Sequence, residues 1–343
     1  MLASTSPGAA AFDATFPHRV IRLPTTMLLP SPRLHARTEA LVRATRPDVV
    51  LFGAAMPLAL VGASLRRRTG TPYATFTHGL EVTAARLPGG RALLRRIGRS
   101  AALVTAVSRW TADVLGPYLA AEAPIQLLPS GADADRFHPG VQDAAIRRRH
   151  ALGSGPVVAC VSRLVRRKGQ DTLLRALGAV ARDIPDIRLL IVGDGPDRRR
   201  LASLARTLGV EGRVVFAGAV SSEELPMYFR AGDVFAMPCR SRWGGLEVEA
   251  LGAVYLQAAA VGRPVIAGRS GGTSDALTHG ETGWLIDGRR VEEVAQAITT
   301  ILRLPDRGLA MGTRGAERIR REFTWNQIAA RCRTLLLAAV TSS

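Results

Sequence analysis

Arg163 and Lys168 stand five positions apart in the stretch Ser162-Arg163-Leu164-Val165-Arg166-Arg167-Lys168-Gly169, which follows an apolar run and precedes a helical pattern. A loop leaving a strand can turn both cations onto one pair of phosphates. Arginine offers a bidentate fork, and lysine a compact charge that can follow a departing diphosphate. Taken alone, the pair reads more readily as a solvated basic loop. Lys168 is the one lysine in a chain with 46 Lys+Arg. Against so strong an arginine habit, a lysine survives by chance or where an ammonium cannot be exchanged for a planar guanidinium.

A second constellation is Gly244-Gly245-Leu246-Glu247-Val248-Glu249-Ala250-Leu251-Gly252, leading into a helical pattern that ends at Gly262. Glycine-rich backbone at a helix start offers free N–H groups and a positive dipole end to a phosphate or a developing oxyanion. Glu249 could accept from sugar hydroxyls, and Gln257, about two turns further on, could reach a ribose. The competing reading is an acidic helix start that only steadies the dipole. Gly193-Asp194-Gly195-Pro196 reads as a structural turn at a strand end. Ser270-Gly271-Gly272-Thr273 reads as a nest for donor or acceptor.

The elements that must position these residues alternate. Strands are expected at 157–162, 188–192, 214–216, 234–237, 264–267 and 283–286, with helices at 172–182, 197–208, 222–231, 252–261 and 291–302. Ser221 with Glu224 gives the helix at 222–231 a capping-box start. Such alternation implies a parallel sheet covered on both faces, with ligands at the strand C-termini. The first half repeats the pattern less completely, with strands at 49–53, 73–77, 103–107 and 125–128 and helices at 33–45, 57–68, 91–100 and 109–119. Residues 129–155 read as a junction. The expected class is α/β, two Rossmann-like domains facing each other across a cleft. They span 1–140 and 150–322, with 323–343 a C-terminal helix packing back toward the first.

A chain of 343 residues fits about two domains. No apolar run reaches the ~18 residues of a membrane span, and residues 1–14 lack the pattern of a secretion signal. Three widely spaced cysteines, Cys160, Cys239 and Cys332, carry no metal-ligand spacing and fit a reduced cytoplasmic setting. The formal charge of +18 favours nucleic acid or an anionic membrane surface. Without aromatic interleaving or a nucleic-acid motif, nucleic acid is not an expected partner.

Together, in this order and spacing, the motifs resemble the retaining GT-B glycosyltransferases, marked by R-x4-K and E-x7-E. Ser130-Gly131-Ala132-Asp133-Ala134-Asp135-Arg136-Phe137-His138-Pro139 is similar to that family's interdomain segment. Residues 12–31, Thr77-His78-Gly79-Leu80-Glu81 and 245–256 look like its actinobacterial subfamily of GDP-mannose-dependent phosphatidylinositol-mannoside α-mannosyltransferases. The resemblance gives the donor diphosphate to Arg163 and Lys168, and the transferred hexose to Glu249 with Leu251 and Gly252 beside it. It gives the ribose to Gln257, places the base near Val220, and has His78 touch the sugar at the reacting centre. It implies a front-face transfer in which the leaving phosphate takes the proton from the incoming hydroxyl. That chemistry calls for no metal and no cofactor, and the sequence has no DxD-like or histidine-cluster site.

Two departures stand out. The second glutamate of E-x7-E is Gln257, which weakens donor binding. The family's opening strand and glycine-rich loop have no counterpart before Phe12, so the chain as given is expected to be poorly active or unstable. A basic amphipathic helix, Arg91, Arg95 and Arg99 with Leu93, Leu94 and Ile97 beside them, suits an anionic lipid surface or, equally, an ordinary solvated helix. The resemblance favours the membrane, with the protein peripheral on the inner face. The partners expected are a nucleotide-sugar donor, a lipid-linked or glycan acceptor, and an anionic membrane. The alternatives are a shortened paralogue that only binds nucleotide sugar or lipid, and a related transferase with a UDP-sugar donor.

Overall fold

The computed structural model describes residues 1–119 and 125–341. The chain divides into two compact units, one of Met1–Ala106, Ala112–Leu127 and Arg333–Ser343, the other of Val107–Thr111 and Leu128–Cys332.

In the first unit, β3 (Val50–Phe52), β4 (Tyr73–Thr77), β5 (Leu103–Ala106) and β6 (Ile125–Leu127) form a parallel sheet in that order. β4 and β5 are the central strands and are buried almost throughout, their apolar residues interrupted only by the buried threonines Thr75, Thr77 and Thr105. Ahead of them, β1 (Leu2–Ser4) and β2 (Ile21–Leu23) pair in parallel as a separate two-stranded sheet, joined by the helix Ala9–Thr15. These strands have no signature in the sequence, being three half-buried residues each. The helix expected at 57–68 is a 3₁₀ turn, Leu58–Val61, followed by an α-helix, Gly62–Thr69. The run at 109–119 likewise ends in 3₁₀ after Leu115. The last helix is Trp325–Thr341; residues 342 and 343 lie outside the described residues. Leu335, Leu336 and Ala339 of that helix pack on Ala74 and Leu103.

In the second unit, β7 (Val157–Val161), β8 (Arg188–Val192), β9 (Val214–Gly218), β10 (Val234–Met237), β11 (Val265–Gly268) and β12 (Gly283–Ile286) form one parallel sheet, ordered β12-β11-β10-β7-β8-β9. All five residues of β7 are buried. The helix Gln170–Asp183 covers the sheet with Leu173, Leu174, Leu177 and Val180, each worth about 1.5–3 kcal/mol of burial. The helix Val291–Arg303 presents Val294, Ala297, Ile298 and Ile301 to the same core. Ser221 does cap the turn expected at 222, accepting from the Glu224 N–H at 3.2 Å, but the regular helix starts later, at Leu225–Ala231. Strand order diverges between β10 and β7. Chains leaving the two strands at their C-terminal ends diverge there and open a crevice where ligands bind in open α/β sheets.

Candidate active site

The loop after β7 is fastened from several directions. Gln170, wholly buried, donates from Nε2 to Ser162 Oγ at 2.8 Å and to the Arg163 carbonyl at 3.3 Å, while its Oε1 is buried without a partner. The backbone of Leu164 exchanges hydrogen bonds with the turn 193–197, accepting from Asp197 and donating to the Asp194 carbonyl. The Gly193-Asp194-Gly195 turn is therefore the cradle of the Arg163 loop. Gly169 has φ 79°, and a Cβ there would stand 2.0 Å from the Pro238 carbonyl oxygen. Only glycine lets this loop lie against the strand-end of β10.

Within that frame Lys168 is buried, and its Nζ lies 2.6 Å from Glu249 Oε2. Arg167 Nη1 donates to the same oxygen. Burial alone would raise the Glu249 carboxyl, but the charges of Lys168 and Arg167 outweigh it, and the net displacement is downward. Glu249 is thus a carboxylate held between two cations. Its own N–H donates to Ser270 Oγ at 3.1 Å, and its carbonyl accepts from Gly272. Of the Ser270–Thr273 stretch after β11, the Gly272 N–H is bound to residue 249, while the N–H groups of Ser270 and Thr273 bond within the stretch. Ser270 Oγ also shares a hydrogen with Ser241 Oγ at 3.1 Å.

Arg163 stands at the start of the same loop. It is exposed, and among the described residues its guanidinium has no carboxylate partner. Of the two cations expected to act together, Lys168 is buried and Arg163 is exposed, and half-buried Arg167 joins Lys168 on the Glu249 carboxylate. Arg167 went unremarked in the sequence because arginine is everywhere in this chain. Leu251 and Gly252 are buried just ahead of the helix Ala253–Ala260, with Gly252 at φ 88°. Gln257 is half-buried on that helix. Val220, two residues past β9, is half-buried and packs on the core.

In the first unit His78 follows the C-terminal end of β4, exposed, with Nε2 2.8 Å from the Gly53 carbonyl oxygen. Glu81 holds this corner. It is 1% exposed, and its carboxylate accepts from the backbone N–H groups of His78 (3.0 Å), Gly79 (3.1 Å) and Met56 (3.4 Å).

The helix Gly90–Gly98 carries the basic amphipathic pattern. Leu94 and Ile97 are buried in the core, and Arg91 is tethered, donating from Nε to the Ala85 carbonyl and lying over the Tyr118 ring. Arg95, Arg96 and Arg99 instead line a cavity of about 470 Å³ with Arg67. Among the described residues, no three His, Cys, Asp or Glu side chains group as a metal site, and no helix is long and apolar enough to cross a membrane.

Residues 142–318 match the glycosyl transferases group 1, and residues 1–136 match Glycosyltransferase Family 4. The chain is 44% identical over 333 residues to the GDP-mannose-dependent alpha-(1-6)-phosphatidylinositol monomannoside mannosyltransferase of Mycolicibacterium smegmatis, covering 96% of this chain and 87% of that one. It is 39% identical over 332 residues to the GDP-mannose-dependent monoacylated alpha-(1-6)-phosphatidylinositol monomannoside mannosyltransferase of Corynebacterium glutamicum, covering 96% and 86%. Among solved structures, sucrose-phosphate synthase from Thermosynechococcus elongatus superposes with a TM-score of 0.79 at 26% identity, over 94% of this chain and 84% of that one. Anabaena HepE in complex with UDP and glucose superposes at 0.83 with 20% identity, over 98% and 91%, a likeness of fold. On this sequence kinship and on its two parallel-sheet units, the chain belongs to the group 1, family 4 glycosyltransferases of GT-B fold, in the same family as the phosphatidylinositol monomannoside mannosyltransferases, and is a hexosyltransferase.

Proposed function

We propose that this protein transfers mannose, with retention, from GDP-mannose to a phosphatidylinositol-mannoside acceptor. The observation that carries the reading is the charge of the buried cluster. Arg167 and Lys168 against Glu249 leave one positive charge in excess, and exposed Arg163 adds a second. A nucleoside diphosphate sugar brings two negative charges on its diphosphate, which two such cations neutralise. As the bond to the sugar breaks, more charge gathers on the leaving phosphate. Cations fixed in a dry site stabilise that charge more than the ground state, which lowers the barrier. The leaving phosphate takes the proton of the incoming hydroxyl, and His78 and Glu249 orient the sugar. Leu251, Gly252, Gln257 and Val220 complete the donor site.

The acceptor class is that named for the relatives of M. smegmatis and C. glutamicum. The membrane supplies such an acceptor, and the four arginines at 67, 95, 96 and 99, with Leu87 and Leu93 exposed, form the face that meets anionic lipid from the cytoplasmic side. Incubating the purified chain with radiolabelled GDP-mannose or UDP-glucose and a mannosylated phosphatidylinositol tests the reading. Mannose incorporated from GDP-mannose supports it; incorporation from UDP-glucose alone makes the chain a UDP-sugar transferase. A second reading, a module that binds nucleotide sugar without turnover, is favoured by Gln257 alone. Donor binding without either transfer or donor hydrolysis would establish it.

A further inference from the structure

Glu249 takes two cations on a single oxygen. Lys168 Nζ lies 2.6 Å from Oε2, and Arg167 Nη1 donates to the same atom. The other oxygen, Oε1, has no hydrogen-bond partner among the described residues, yet it is not sealed from solvent. The side chains of Glu249 and Lys168 are 11% and 10% exposed, and that of Arg167 is 20% exposed. Neither cation has a second carboxylate partner among the described residues. The nearby thiols do not compete for them, because burial pushes Cys160 up to about 12 and Cys239 up to about 11, and both stay uncharged at neutral pH. One cation would neutralise the carboxylate, so the second calls for a reason.

The three groups differ in their freedom. Glu249 is fixed through its own backbone by Ser270 and Gly272. Arg167 is the middle residue of the 3₁₀ turn Arg166–Lys168, and its carbonyl accepts from the Arg240 N–H at 2.9 Å, which ties it to the chain leaving β10. Lys168 carries a compact charge on a flexible stem, with three hydrogens of which one is engaged among the described residues. Such an ammonium can turn toward a second anion, and the carboxylate cannot follow it. With Lys168 as its only partner, Glu249 would be left buried without a counter-charge by that turn. The cost of such a state would hold the ammonium on the carboxylate.

We propose that Arg167 is the positioning residue that releases Lys168 to the donor diphosphate. It holds the Glu249 carboxylate through Oε2 while the ammonium turns to the phosphate, and Oε1 stays open to the hexose throughout. The inference rests on the diphosphate role proposed above for Lys168 and adds what lets the lysine perform it. Arg167 acts through Glu249, without touching the nucleotide.

Calorimetric titration of the full chain with GDP, and in parallel with UDP, reads the diphosphate contact without turnover. The chains compared are the wild type, Arg167→Gln, Glu249→Gln and the two changes combined. Arg167→Gln should weaken GDP about tenfold or more. In the Glu249→Gln background no carboxylate holds the ammonium, and the same change should cost about twofold at most. An equal or larger loss in that background would overturn the proposal, since Arg167 would then meet the diphosphate itself. So would an Arg167→Gln chain that binds GDP as the wild type does. Arg167→Lys keeps the charge at a single contact and should recover most of the loss; affinity as weak as that of Arg167→Gln would also count against the proposal. Urea unfolding shows whether each variant folds, and Arg167→Met takes the place of Arg167→Gln if that chain does not. Coupling seen with UDP and not with GDP would correct the proposed donor and leave the role of Arg167 standing. A wild-type chain that binds neither nucleotide would sink the proposed function and this inference together.

Discussion

Lys168 and Glu249, 81 positions apart in sequence, meet at 2.6 Å inside the second unit, and Arg167 joins them on the same carboxylate oxygen. Lys168 of the R-x4-K motif and the first glutamate of E-x7-E are therefore parts of one electrostatic cluster. Removing the ammonium leaves Arg167 as the sole cation on a buried carboxylate. Lys168→Ala should lower kcat/KM for transfer by about 10²–10³, the cost of losing one aimed donor to a developing charge. Lys168→Arg should recover little of it, because the side chain is only 10% exposed and a planar fork does not fit where a compact ammonium does. Steady-state kinetics on both variants decide the matter; wild-type kinetics in Lys168→Arg would mean that position 168 supplies charge alone.

Gln257→Glu restores a carboxylate where the family's motif has one. Hydrogen bonds to charged groups contribute about 1.5–3 kcal/mol against 0.5–1.5 for neutral ones. Donor affinity by calorimetry should tighten about tenfold. No tightening would show that position 257 does not reach the ribose.

The displaced titration of Glu249 has a definite sign. Its carboxyl is held below its ordinary 4.5, so the folded state keeps the charge to lower pH than the unfolded chain does. The stabilisation is complete above pH about 4.5 and is lost as pH falls from there through the folded value. Urea midpoints of the wild type and Glu249→Gln should run parallel from pH 7 to 5 and converge below. Curves that converge already between pH 7 and 5 would contradict the assignment.

Glu81 fixes the histidine corner of the first unit. Glu81→Gln keeps the shape but leaves a single acceptor oxygen for three backbone N–H groups. The loss should be about 1–3 kcal/mol in denaturant unfolding. If Glu81 positions His78 for transfer, kcat should fall further than stability alone explains, at saturating substrate and a temperature where the variant remains folded. An unchanged kcat would confine Glu81 to a structural role.

What the sequence revealed follows how each element is buried. β7, β8 and β10 are covered on both faces, so their apolar runs were legible almost to the residue. β1 and β2 are three half-buried residues each, with no run to read. Helical spacing at 57–68 and 109–119 was legible, but not the change to 3₁₀ within it, which costs only a shift of hydrogen-bond partner. At the site, Lys168 and Glu249 were legible as charge types at a fixed spacing. Arg167 was not, since it is hidden among arginines. On the helix Gly90–Gly98 spacing places Leu93, Leu94 and Ile97 on one stripe but does not tell which of them the core takes: Leu94 and Ile97 are buried and Leu93 is exposed.

Ser270 has one hydroxyl hydrogen and two neighbours. Its oxygen accepts from Glu249, and the hydrogen it shares with Ser241 can belong to either residue. When Ser241 gives its hydrogen to Ser270, it presents a bare lone pair to its surroundings. When Ser270 gives instead, the hydrogen of Ser241 is free for an anion. An anion beside Ser241 selects the second arrangement, in which Ser270 turns donor and polarises its oxygen further toward the Glu249 amide. The polarity of a single two-serine contact thus makes the backbone beneath the Glu249 carboxylate responsive to what lies beside Ser241, with no atom heavier than hydrogen having to move.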